Sequence, residues 1–173
     1  MTSSKRRLTM QVLAVLASAT MLTGVPSAPQ ARAQPPGFPD LNAFTETPAS
    51  QDFSRPDRSA NGYAYFRTPD GLSCMVGSLV RCSGPLPGLA GAEYGDCALV
   101  LQSYEAARRS EPFRFEKSTD GCPPPTDELL AVGQKATFVS NDTTICAVGA
   151  GQLTACIRND HGFVLQPSGS WVF

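Results

Sequence analysis

Histidine is almost missing from this chain: His161 is the only one. A multi-histidine metal centre is therefore excluded. The six cysteines form no C-x-x-C or similarly close pair of the kind that holds zinc, so no metal is expected. No cofactor is expected either, because no glycine-rich loop leads into a helix in phosphate-binding form. The chain also lacks an apolar run of about 20 residues, the length that spans a bilayer. Its longest run, Val12 to Leu22, is interrupted by Ser18 and Thr20.

What surrounds that run reads as an export signal. Lys5, Arg6 and Arg7 precede it, and Ala31-Arg32-Ala33 places small residues where a signal peptidase reads. Residues 1–33 are expected to be removed by cleavage before Gln34, which leaves no stable membrane insertion. The Arg6-Arg7 pair raises the twin-arginine route, but Thr9 and Met10 fit it poorly, which favours the general secretory route. The leader takes four of the 14 basic residues and no acidic one, so the remainder carries ten bases against 15 acids. A phosphate backbone is bound by Lys and Arg that displace its counterions. An acidic chain without a basic cluster is not expected to bind nucleic acid.

Residues 34–60 read as a flexible linker. Pro35, Pro36, Pro39, Pro48 and Pro56 punctuate a stretch with no helical or alternating period. Phe38, Leu41, Phe44 and Phe53 are the exceptions, readable as anchors that fold back onto the domain. The domain itself is expected over residues 61–173. Tyr63 to Arg67 and Leu72 to Val76 flank Thr68-Pro69-Asp70-Gly71, a turn sequence. Further short runs follow at Val80 to Ser83, Leu99 to Gln102, Phe113 to Phe115, Lys135 to Val139, Thr144 to Val148, Leu153 to Ile157, Phe163 to Leu165 and Trp171 to Phe173. Short strands separated by Gly and Pro predict a mainly β fold, a small antiparallel sandwich or barrel-like domain. Ala98 to Arg109 also suits a helix, with Asp96 as N-cap and two arginines at its end. No internal repeat is apparent.

Cys74, Cys82, Cys97, Cys122, Cys146 and Cys156 all fall in the domain, and an even number in an exported chain implies three disulfides. Cys146 and Cys156 lie symmetrically about Gly149-Ala150-Gly151, and Cys74 and Cys82 flank Gly77-Ser78. Each pair should therefore face across a hairpin, which leaves Cys97 with Cys122. Each bridge contributes roughly 2.5–3.5 kcal/mol by its loop length. With all six in cystines, no thiolate remains for nucleophilic catalysis.

A further set of residues runs in a fixed order: Phe66 to Cys74, Val80-Arg81-Cys82, Leu130 to Gln134, Cys146, Leu153-Thr154-Ala155-Cys156, Asn159 and His161 to Leu165. In these the chain resembles a family of uncharacterised exported actinobacterial proteins. It departs from that pattern between Cys97 and Cys122, where it is longer and has no Trp-Gly. The resemblance implies the location and the fold; it brings no activity with it.

Candidate chemistry is sparse. Asn159, Asp160 and His161 form a candidate functional turn, although adjacent Asp160 and His161 would point apart on a strand and so cannot orient one another as a triad requires. Asp96, Glu105, Asp120, Asp127 and Asp142 allow carboxylate pairs but show no preferred spacing. Asn141-Asp142-Thr143 matches a glycosylation acceptor but reads better as an ordinary turn. Phe163, Leu165, Trp171 and Phe173 alternate as though they shared one buried face. The expected function is a non-enzymatic binding domain, secreted or held in the cell envelope, monomeric, with an unknown protein or cell-wall ligand as partner. The alternative is a secreted hydrolase using carboxylate or serine chemistry. N-terminal sequencing of the exported form should begin at Gln34; a retained apolar segment would contradict the leader assignment.

Overall fold

The structure is a computed structural model, and it describes residues 34–48, 51–54, 62–89, 91–102, 111–140 and 142–173. The leader lies outside these residues, as does Asn141 of the candidate glycosylation acceptor. Among the described residues no helix is long and apolar enough to cross a membrane.

Alternating burial along short runs rich in Val, Ile, Thr and aromatics forms strands, because every second side chain can reach a core while its neighbours face away. Two six-stranded sheets result, mainly antiparallel, stapled by three disulfides. The first is a meander of β2 (Ala64–Arg67), β3 (Ser73–Val76), β4 (Val80–Gly84), β5 (Ala98–Leu101) and β6 (Arg114–Lys117). The second is a meander of β8 (Gln134–Val139), β9 (Thr143–Gly149), β10 (Leu153–Arg158), β11 (His161–Leu165) and β12 (Trp171–Val172). Two parallel two-residue strands complete them: β1 (Thr45–Glu46) pairs with β8, and β7 (Glu128–Leu129) pairs with β2. The inner faces share one core that includes Phe66, Val100, Phe113, Phe163 and Leu165.

The two meanders repeat one another, contrary to the expectation of no repeat. Register aligns Phe66, Cys74, Cys82, Val100 and Phe115 across the first. It aligns Ala136, Cys146, Cys156, Phe163 and Val172 across the second. Each cystine thus joins the second and third strands of its meander, with Cα–Cα 4.1 Å in both. The trace in sequence is short: Cys74-Met75-Val76-Gly77 against Cys146-Ala147-Val148-Gly149, then Leu79-x-x-Cys82 against Leu153-x-x-Cys156. Such fragments vanish among strand-like sequence until register aligns them.

Three expectations change here. Ala98–Leu101 is strand β5 rather than the start of a helix. Its burial alternates, with Ala98 and Val100 in the core, and it pairs with β4 on one side and β6 on the other. Asp96 follows the single helical turn α1 (Gly91–Tyr94) and precedes strand β5, so no described helix starts there, and residues 103–110 lie outside the described ones. The segment from Gln34 belongs to the same compact unit as the sheets. A 3-10 turn at Leu41–Ala43 and strand β1 fasten it, while Phe38 and Leu41 pack on Ala147, Ala155 and Val164. Phe53 reaches the inter-sheet core. Apolar anchors therefore hold the proline-rich stretch from Phe38 to Phe44 on the outer face of the second sheet as a third layer, and residues 49–50 and 55–60 of the expected linker lie outside the described ones.

The third change concerns the C-terminal hairpin. Phe163 and Leu165 face the inter-sheet core, but Trp171 and Phe173 pack with Phe38 on the opposite face. Antiparallel partners share a face, and Phe163 pairs with Val172 while Val164 pairs with Trp171. Asn159, at φ 53°, takes the left-handed conformation of the β10–β11 turn. Gly162 instead lies inside β11, where an added Cβ would meet the carbonyl of Cys156 and the ring of Phe173.

Arg158 joins the sheets. It is 2% exposed and donates from Nε to Thr144 Oγ1 at 2.8 Å, from Nη1 to the Ser78 carbonyl at 3.3 Å and from Nη2 to the Gly77 carbonyl. A buried guanidinium is tolerated only when its donors are used, and here they hold the β3–β4 turn of the opposite sheet. Arg158→Ala should cost about 2–4 kcal/mol, by lost hydrogen bonds and exposed acceptors. Phe38→Ala should cost about 2–4 kcal/mol by opening the third layer. Denaturant melts of the whole chain check both, and an unchanged midpoint for Phe38→Ala would contradict the third layer.

Candidate functional site

The outer faces of the two sheets are finished differently. Over the second sheet, the segment from Phe38 to Phe44 covers Ile145, Ala147, Ala155, Ile157 and Val164. Over the first sheet the corresponding face holds a groove of about 520 Å³. Its floor is built from Tyr65, Ser73, Met75, Arg81, Ser83 and Leu99. Residues 116–123 complete it on one side.

Strand register places these side chains. Ser73 and Met75 alternate with inward Cys74 and Val76, and Arg81 and Ser83 alternate with Val80 and Cys82, whose side chains lie in the core. Met75 pairs with both Tyr65 and Arg81, while Ser83 pairs with both Ser73 and Leu99. The Ser83 hydroxyl donates to the Ser73 carbonyl at 3.3 Å, and the Ser73 hydroxyl donates to Asp127 Oδ2 at 3.3 Å. Glu116 is engaged by Arg114 at 2.5 Å. Arg81 is half-buried and makes no side-chain hydrogen bond or ion pair among the described residues.

The third disulfide shapes the wall. Cys97, at the start of β5, is bonded to Cys122 beyond β6, with Cα–Cα 5.5 Å. The Ser118 amide donates to the Cys97 carbonyl at 3.0 Å, and the Ser118 hydroxyl donates to the Gly121 carbonyl at 2.8 Å. Unlike the two core cystines, this one holds an exposed loop beside the groove.

The residues expected to carry chemistry are dispersed. All six cysteines are in disulfides, paired as the turn symmetry suggests. Asn159 and Asp160 are exposed in the β10–β11 turn and His161 is half-buried at the start of β11, all on the second sheet and outside the groove. Asn159 Nδ2 donates to Asp142 Oδ1 at 3.3 Å across the neighbouring turn. Among the candidate carboxylates, Asp120 lines the groove and Asp127 touches Ser73. Asp96 lines a separate cleft of about 250 Å³, and Glu105 lies outside the described residues. A serine nucleophile needs a base within hydrogen-bond reach; the described partner of Ser73 is a carboxylate, and the histidine stands in the other sheet. No cluster of three or more metal-ligating side chains occurs among the described residues.

A second cavity, of about 510 Å³, lies where Glu46, Asp52 and Phe53 meet Tyr63 and Phe138. Asp52 accepts the Ser54 amide at 2.7 Å, and that hydrogen bond, aided by the Ser54 hydroxyl, holds its carboxyl below the ordinary value.

Tyr65, Met75, Arg81 and Leu99 were not singled out by sequence. The available signal was Arg81, a charge between Val80 and Cys82 at the position where the second meander has Ala155. No family model, curated protein or solved structure matches the chain.

Replacing Cys97 and Cys122 together by serine should lower stability by about 3.5 kcal/mol and leave the core intact. Near-ultraviolet circular dichroism with denaturant melts reads both, and collapse of the tertiary signal would show that this bridge holds more than the groove wall.

Proposed function

We propose that this protein is an exported, non-enzymatic domain that binds a ligand in the groove on the outer face of its first sheet. The observation that carries the reading is the difference between the two outer faces: one is sealed by the chain's own apolar segment, the other is recessed and lined by polar and apolar groups together. Convergent polar side chains in a concave, partly apolar surface are what a binding site requires. The leader sequence, three disulfides and the resemblance to exported actinobacterial proteins support a location outside the cytoplasm, where cystines persist. The ligand is then a protein or a cell-wall component met after export.

The test compares two variants of the full chain, each checked for an unchanged melting temperature, for retention on isolated cell wall and on culture-filtrate components. Leu99→Trp, which fills the groove, should abolish retention; His161→Ala should leave it intact. Retention that survives Leu99→Trp and disappears in His161→Ala would move the site to the β10–β11 turn and overturn this reading.

A further inference from the structure

The repeat allows the two outer faces to be compared position by position. Across the second meander the outward rows run Lys135, Ala147, Ala155, Val164, Trp171 and, beside it, Ile145 with Ile157. Across the first, the same places hold Tyr65, Met75, Arg81, Leu101, Arg114 and, beside it, Ser73 with Ser83. Where one face has two isoleucines the other has two hydroxyls, and where one has Ala155, 0% exposed, the other has Arg81.

The second face shows what such a surface accommodates. Its occupant is peptide: the segment from Phe38 to Phe44 lays apolar side chains on it, and Lys135 Nζ donates to the Leu41 carbonyl at 2.8 Å. The groove of the first face occupies the equivalent place, and its chemistry differs by one unpaired cation and two hydroxyls. A half-buried guanidinium without a partner among the described residues has given up hydration with nothing in return, and its planar fork matches a carboxylate in two parallel hydrogen bonds. Glu116 and Asp120, which also line the groove, disfavour a doubly charged phosphate more than a singly charged carboxylate.

We propose that the groove binds an extended peptide segment whose carboxylate pairs with Arg81, with Met75 and Leu99 receiving an adjacent apolar side chain. This rests on the groove being the binding site. The carboxylate can come from a chain terminus or from an acidic side chain, and the experiment separates the two.

The probes are three acetylated tetrapeptides titrated into the isotope-labelled full chain: Ala-Leu-Ser-Ala with a free terminal carboxylate, the same peptide amidated, and amidated Ala-Leu-Glu-Ala. Amide and Arg81 Nε–H resonances are followed by NMR. Either carboxylate-bearing peptide should shift Arg81 Nε–H and the groove amides, and the neutral amide should bind about tenfold more weakly or worse. Which acid binds identifies the source. Arg81→Gln should lose the same factor without changing the melting temperature, since no described group depends on that side chain, and Arg81→Lys should recover part of it. Groove shifts that are equal for acid and amide, or unaffected by Arg81→Gln, would overturn the carboxylate pairing while leaving the groove as the site. Shifts produced by acetate or inorganic phosphate but by no peptide would overturn the peptide assignment. Absence of any groove shift would overturn the inference, and the cell-wall retention of Leu99→Trp would then decide separately whether the groove binds anything.

Discussion

Both core cystines lie between the sheets, and each crosses the centre of its own meander. Cys74–Cys82 and Cys146–Cys156 contribute four of the most deeply buried side chains. Each fixes the register of its second and third strands, and a slip of one residue would turn every side chain to the wrong face. Once Cys74 faces inward, Ser73 and Met75 must face outward, and so must Arg81 and Ser83 beside Cys82. The groove floor follows from the direction in which the sulfurs point. The same constraint in the second meander sends Ala147 and Ala155 outward, where small apolar groups allow a peptide segment to lie close.

The two meanders therefore share a plan and differ in finish. Arg158 holds them together from one sheet to the carbonyls of the other's turn, and its place deep in the interior is balanced by hydrogen bonds rather than by hydration. Phe66 and Phe138 stack nearly parallel across the interior, with ring centroids 5.9 Å apart. That contact adds to the burial of each ring. The parallel strands β1 and β7 add one edge to each sheet, each lying against the first strand of a meander. Charged Arg114, Glu116 and Lys117 occupy the opposite edge of the first sheet, a composition that discourages edge-to-edge pairing with another chain.

The proposed binding role rests on the asymmetry. A sheet face of small and branched apolar residues is stable only when covered, and the chain covers it with Phe38, Leu41 and Phe44. A face carrying Arg81, Ser73 and Ser83 presents polar groups, and no apolar segment of the described chain lies across it. The third disulfide holds a loop beside the groove rather than a strand pair in the core. The groove offers hydroxyls, a cation and an apolar strip, which suits recognition.

Composition and pattern determined much of this by themselves. Short alternating runs between Gly and Pro dictate a mainly β domain, because the period of two is local and needs no partner to be seen. Turn symmetry placed two cystines, because a hairpin brings residues equidistant from its turn together, and elimination placed the third. The Asn159 turn was legible because Asn accepts the positive φ of a tight turn. Other features depended on contacts distant in sequence. Ala98–Leu101 is a strand because β4 and β6 flank it. Residues 34–48 became a layer because an apolar face was present to receive three anchors. Trp171 and Phe173 left the core because the register of β12 against β11 turned them outward. Arg158 has its burial and its acceptors only because the β3–β4 turn of the other sheet packs against it. Arg81 stood in plain view between Val80 and Cys82, but only the pairing of five strands could show that it floors a groove rather than meeting solvent. Local periodicity decides which residues are strand; only the packing of one strand on another decides which face is sealed and which is left open.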